Sequence, residues 1–87
     1  MKRFLITGAS RGIGRAVAVE LATKNTELLL HGRYTVALAQ TRKAVEPECA
    51  RVTLLIHDLA TASGVSGLIA EVGRSPIDLL VNNAGLQ

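Results

Sequence analysis

The sequence predicts an α/β protein built as a three-layer α/β/α sandwich. Its sheet is partial, with four parallel strands in the order 3-2-1-4. Three observations carry this expectation. Four short apolar runs alternate with three segments of helical spacing, giving the order β-α-β-α-β-α-β. The runs are apolar throughout rather than at every second residue, as strands covered on both faces must be. A glycine-rich turn joins the first run to the first helical segment. Parallel strands need a crossover, a helix supplies it, and right-handed crossovers place helices on both faces.

Each element has its own local reason. Residues 3–7, Arg-Phe-Leu-Ile-Thr, form the first strand, with Phe4 in its apolar pattern. Residues 8–14 turn into a helix running to about Lys24, with Ile13, Ala16, Val17 and Leu21 as its buried stripe. Asn25 and Thr26 end that helix, and Lys24 suits a helix C-terminus. Leu28–Leu30 form the second strand, closed by His31 and Gly32. Residues 35–46 are weakly helical, with Val36, Leu38, Ala39 and Val45 as packing positions and a break at Pro47. Residues 51–56, Arg-Val-Thr-Leu-Leu-Ile, make the third strand, supported by β-branched content. Residues 62–72 form the third helix, with Val65, Leu68, Ile69 and Val72 on one side, weakened by Gly64 and Gly67. Residues 77–81 form the fourth strand, and Asn82-Asn83-Ala84-Gly85 is the turn beyond it.

Composition narrows the function classes. With 87 residues, 48% of them hydrophobic and only 2% aromatic, the chain makes one domain whose core is Leu, Val, Ile and Ala. A single cysteine and two histidines make neither an internal disulfide nor a good metal site. No apolar run approaches the ~18 residues of a membrane span, and the N-terminal run is too short for a secretory signal. These features predict a cytoplasmic protein with no membrane partner. The net charge of +3 hides an asymmetry: the first 43 residues carry 8 basic side chains against 2 acidic ones, and the rest is net acidic. A basic half suits nucleic acid or one phosphorylated ligand. Nucleic acid calls for a basic stripe with aromatic platforms. The only aromatics here are Phe4 and Tyr34, so nucleic acid is not expected.

The turn Thr7-Gly8-Ala9-Ser10-Arg11-Gly12-Ile13-Gly14 is the richest chemical signal. Glycines at 8, 12 and 14 stand just after a strand and just inside a helix. A glycine at 12 lets a pyrophosphate approach the backbone, and one at 14 lets the helix pack closely. The free N–H groups of the first helical turn then face the phosphates. The Gly-Lys-Ser/Thr ending of a Walker loop is missing.

These residues resemble the short-chain dehydrogenase/reductase family. Residues 7–14 match its Thr-Gly-x-x-x-Gly-x-Gly signature at every fixed place. Asn82-Asn83-Ala84-Gly85 matches its second signature, and Asp58-Leu59 matches the pair that follows strand 3. The resemblance covers residues 2–87 and implies a Rossmann-like, NAD(P)-binding domain spanning residues 1–87. It implies cofactor contacts at Gly8, Ser10, Arg11, Gly12, Ile13 and Gly14. Asp58 and Leu59 would line the adenine pocket, and the nicotinamide would lie near Asn83, Ala84 and Gly85.

The end of strand 2 speaks to cofactor choice. An NAD site usually puts an acid there to bond the ribose hydroxyls. Here the strand ends Leu30-His31-Gly32-Arg33, with no acid. Arg33 and Arg11 supply two guanidinium groups for a 2′-phosphate, so NADP(H) is expected over NAD(H). The competing reading leaves Arg33 as a solvated surface charge. His31 is assigned no role, and His57 and Asp58 are expected to point apart as strand-end neighbours.

The family's catalytic set is a Ser and a Tyr-x-x-x-Lys pair. The only tyrosine, Tyr34, precedes Leu38 where a lysine is needed, so no catalytic residue is assigned. Two explanations stay open. The chain is the cofactor half of a reductase, truncated after the fourth strand, whose full-length parent transfers a hydride between NADPH and a carbonyl or alcohol and forms a homo-oligomer. Alternatively it is a complete short protein that binds nucleotide or a partner without turnover. Truncation is the expectation, because a dinucleotide fold needs a second βαβ half, and the segment by itself is expected to be inactive.

Overall fold

The computed structural model describes residues 1–84. Its elements are β1 (Lys2–Ile6), α1 (Gly12–Leu21), β2 (Thr26–Gly32), α2 (Thr35–Val45), β3 (Arg51–Ile56), α3 (Ala62–Val72) and β4 (Leu79–Val81). The sheet order is β3-β2-β1-β4 and every pairing is parallel. The predicted fold class and strand order therefore hold.

The sheet separates two apolar clusters. Ile6, Leu28 and Leu30 face Ala18 of α1 and Leu38 and Val45 of α2. Leu5, Leu29 and Leu55 face Leu68 of α3. Residues 28, 29 and 30 thus alternate between two cores, which is why a run of three leucines makes a central strand. Phe4 packs against the first cluster.

Several boundaries differ from the sequence reading. β1 spans residues 2–6 rather than 3–7, with Thr7 N–H still donating to Val81 O of β4 at 3.0 Å as the chain enters the glycine turn. β2 begins at Thr26 and runs to Gly32, well beyond Leu28–Leu30. Polar residues hid its start, and Glu27 is buried only because Arg3 on β1 pairs with it at 3.0 Å. α1 stops at Leu21, not Lys24, where Thr23 and Thr26 exchange hydrogen bonds in a tight turn. α2 ends at Val45 and a 3-10 turn over Glu46–Glu48 carries Pro47. β4 begins at Leu79 rather than Ile77, and Leu79 and Leu80 are exposed rather than buried.

The helical stripes also shift. On α1 the covered face is Gly14, Val17, Ala18 and Leu21, while Ile13 and Ala16 are exposed. On α2, Val36 and Ala39 are exposed and Thr41 is buried instead. On α3, Val65 and Ile69 are exposed. Gly64 and Gly67 do more than weaken that helix. A Cβ at 64 would lie 1.8 Å from Asp58 O, and one at 67 would lie 2.7 Å from the His57 ring. Both glycines bring α3 against the end of β3.

Arg3 ties the β4 side of the sheet together. Its guanidinium donates to Glu27 Oε1, to Ser75 O at 2.7 Å and to Val72 O at 3.1 Å. Arg3→Met strands a Glu27 carboxylate whose side chain is only 7% exposed. We expect a loss of about 2 kcal/mol, below the cost of breaking a fully buried pair because Arg3 keeps some solvent contact. Urea unfolding checks this, and Arg3→Met/Glu27→Leu should recover most of the loss. A double variant no better than the single would show that the pair is not the cause.

Candidate functional site

The C-terminal ends of β1, β2 and β3 and the turns leaving them enclose a cleft of about 430 Å³, within the size range of small-molecule sites. Gly8, Ser10 and Arg11 form one wall. His31, Gly32, Arg33 and Tyr34 at the end of β2, Asp58, Leu59 and Ala60 after β3, and Ala84 after β4 complete the lining.

The glycine turn is built by short-range necessity. Gly8 and Gly12 have φ of +64° and +60°, a region L-residues avoid. A Cβ at Gly14 would stand 2.0 Å from Gly8 O and 2.8 Å from Asn83 Nδ2. At Gly12 a Cβ would meet nothing within 4 Å, so this backbone faces open space. Arg11 precedes α1 without capping it, and the first turn of the helix holds no acidic residue. An uncapped helix N-terminus beside a bare glycine is the place an anion finds N–H donors and a favourable dipole.

The second turn is fastened to the first. Thr7 Oγ1 accepts from Asn83 N at 2.9 Å and Ala84 N at 3.1 Å. Asn83 Nδ2 donates to Gly8 O at 3.1 Å. Asn83 is 2% exposed, and its Oδ1 lacks a hydrogen-bond partner among the described residues. Ser10 Oγ is likewise buried and unpaired. Two orphaned oxygens beside the cleft are the observation on which a bound polar group can be tested, since buried polar atoms normally find partners.

The cationic side of the cleft is organised by Tyr34. Arg11 and Arg33 place their guanidinium carbons 5.7 and 5.4 Å from its ring centroid. Arg33 Nη2 donates to Tyr34 Oη at 3.2 Å, and Nη1 lies 3.9 Å from Asp58 Oδ1. Asp58 Oδ1 also accepts from Ala60 N at 2.9 Å, fixing the turn after β3. Both members of the Arg33–Asp58 pair are about half exposed, so it holds Arg33 only weakly. A Cβ at Gly32 would fall 2.2 Å from Ser10 Oγ, a hydroxyl that would have to turn away.

The predicted site residues divide into three groups. Gly8, Ser10, Arg11, Arg33, Asp58, Leu59 and Ala84 line one cleft. Gly14 and Asn83 lie beneath Gly8 and shape it, while Gly12 and Ile13 stand at the exposed helix start, with Ile13 65% exposed. Gly85 lies outside the described residues. His57 turns to Glu71 and Asp58 to Arg33, so the two point apart. The sequence reading missed Thr7, Tyr34 and, most plainly, His31. His31 is 3% exposed, its Nδ1 lies 3.1 Å from Gly8 N, and its Nε2 lies 2.8 Å from His57 O. The available signal was a polar residue at the C-terminal end of a central strand, where open α/β sheets place their crevice.

A parallel sheet in the order 3-2-1-4, with its glycine turn opening onto a crevice at the strand ends, defines the class of dinucleotide-binding α/β proteins. Within that class the chain belongs to the short chain dehydrogenase family, which residues 2–87 match, and it has the fold of that family's NAD(P)(H)-binding segment. Gluconate 5-dehydrogenase of Gluconobacter oxydans is 38% identical over 87 residues, which is 98% of this chain and 34% of that protein. L-xylulose reductase of Mus musculus is 35% identical over 98% of this chain and 32% of its own length. Among solved structures, a betaketoacyl-[ACP] reductase from Bacteroides thetaiotaomicron superposes with a TM-score of 0.82 at 27% identity, over 97% of this chain and 40% of that one. A short-chain dehydrogenase from Sphingobium yanoikuyae, solved in complex with NADPH, gives 0.72 at 28% identity over 92% of this chain and 32% of its own. The chain spans about a third of the length of the curated relatives it matches. Among the described residues no helix is long and apolar enough to cross a membrane.

Proposed function

We propose that this segment binds NADP(H) in preference to NAD(H), and that the longer protein uses it for hydride transfer between the nicotinamide and a carbonyl or alcohol. The observation that carries the preference is the Arg11–Tyr34–Arg33 stack beside Gly32, which carries no carboxylate. Two guanidinium groups on one aromatic ring are preorganised for a 2′-phosphate, and no acid follows β2 to bond a free ribose or repel the phosphate. Gly8, Gly12, Ile13 and Gly14 would receive the pyrophosphate at the helix start, with the Ser10 hydroxyl near the ribose. Asp58 and Leu59 would border the adenine, and Asn83, Ala84 and Gly85 the nicotinamide end. When bound, the nicotinamide supplies or accepts the hydride. Residues of this chain bind and orient it, and none of them matches a proton donor of the Tyr-x-x-x-Lys kind.

Calorimetric titration with NADPH and NADH at equal salt tests the reading. NADPH should bind at least about tenfold tighter, a difference worth ~1.4 kcal/mol. Arg33→Ala should remove most of that difference by weakening NADPH while leaving NADH nearly unmoved. Equal affinity for the two cofactors, or tighter NADH, would sink the preference.

A further inference from the structure

We propose that His31 is a positioning residue of the glycine turn: its neutral imidazole, protonated on Nε2, holds the Gly8 N–H and so makes cofactor affinity fall with acid. The geometry points to one tautomer. Gly8 N at 3.1 Å can only donate, so Nδ1 must present a lone pair. The His57 carbonyl at 2.8 Å can only accept, so Nε2 must carry the proton. The backbone of His31 adds a third tie, accepting from Ala9 N at 2.8 Å. One residue thus fastens the start of the glycine turn to the end of β2 and, through its ring, to the end of β3.

Protonation breaks this arrangement at a defined atom. An imidazolium turns Nδ1 into a donor facing another donor, and the Gly8 N–H loses its bond to His31. His31 has little room to move, being 3% exposed. The charged and titratable groups around it are His57 and Asp58 after β3 and Arg33 after β2, and Glu71 of α3 reaches it only through His57. The β1 side offers the backbone N–H of Gly8. Burial pushes the imidazole below its ordinary range; His57 and Arg33 press the same way, while the bond to the His57 carbonyl and Asp58 oppose. A lowered value means the unfolded chain takes the proton first. The stability this contributes is fully present above about pH 6.5 and is lost as pH falls toward the folded-state value.

The functional half of this inference rests on the proposed cofactor site; the clamp itself does not. The test therefore has two readouts. Nitrogen NMR of the imidazole in the whole chain should show Nε2 protonated at about pH 8, and the Gly8 amide should move with the His31 titration. NADPH titration is then compared at about pH 8 and about pH 5.5 in wild type and His31→Asn, whose Oδ1 can accept from Gly8 N–H but does not titrate. The wild-type affinity should fall further across that interval than the variant's, by less than about tenfold because the imidazole titrates below its ordinary range, while titration of the 2′-phosphate is common to both. His31→Leu should weaken NADPH at both pH values. A proton on Nδ1, a Gly8 amide indifferent to the titration, or equal pH dependence in wild type and His31→Asn overturns the proposal. If NADPH fails to bind at any pH, the cofactor reading fails, and the imidazole spectrum alone decides whether His31 clamps the turn.

Discussion

Gly14→Ala should be among the most damaging single changes in this chain, costing about 4 kcal/mol from overpacking against backbone and loss of a buried hydrogen bond. The added methyl would sit 2.0 Å from Gly8 O and 2.8 Å from Asn83 Nδ2. Those two atoms are themselves bonded at 3.1 Å, so the methyl intrudes on a hydrogen bond and not on a compressible side chain. Alanine is the better helix former by roughly 1 kcal/mol, but that gain is too small to offset the clash. Relief requires α1 to lift from the turn, which opens the anion-facing N–H groups and should abolish NADPH binding. Gly12→Ala makes the contrast. Its methyl meets nothing, so it should cost only the ~1 kcal/mol of a left-handed backbone, while still obstructing a pyrophosphate. Thermal unfolding separates the two, since each 1 kcal/mol moves the midpoint of a domain this small by roughly 4–8 °C. Gly14→Ala as stable as Gly12→Ala would mean that α1 does not rest on Gly8.

The fold was legible because its pattern is repeated. Leu28, Leu29 and Leu30 have to feed two cores, and only a central strand between helix layers does that. The glycine turn was legible because glycines at 8, 12 and 14 have no bland substitute at a strand-to-helix joint. What stayed hidden depends on partners distant in sequence. Glu27 reads as a loop residue until Arg3 lies beside it, so the start of β2 was lost. Ile13 looks like the first residue of a buried stripe, but Gly14 occupies the contact and turns Ile13 outward. His31 reads as punctuation after an apolar run. Its importance comes from Gly8, 23 positions earlier, and His57, 26 later. The same holds for Tyr34, whose ring matters because Arg11 comes back to it across the cleft.

Thr7→Val should cost about 2–3 kcal/mol, because it strands one buried and one partly buried backbone donor at once. The Thr7 hydroxyl has two lone pairs and one proton. The lone pairs receive Asn83 N at 2.9 Å and Ala84 N at 3.1 Å, while the proton has Val81 O and Asn82 Oδ1 within 3.3 Å. Its bonding capacity is thus fully used, at a residue only 4% exposed. Valine keeps the shape and fills the same space, so packing is preserved and the loss is one of hydrogen bonding. The Asn83 amide cannot turn to water without moving the chain between β4 and Asn83, and Asn83 is the residue that braces Gly8 from below. The damage should therefore spread from the second turn to the first. Thr7→Ser keeps the hydroxyl and should cost less than about 1.5 kcal/mol, the price of a lost methyl. Urea midpoints rank the three proteins, and hydrogen exchange reports the amides of residues 83 and 84 directly. Exchange at both should accelerate in the valine variant far more than in the serine variant. Similar midpoints and similar exchange for valine and serine would show that the hydroxyl is not what joins the two turns.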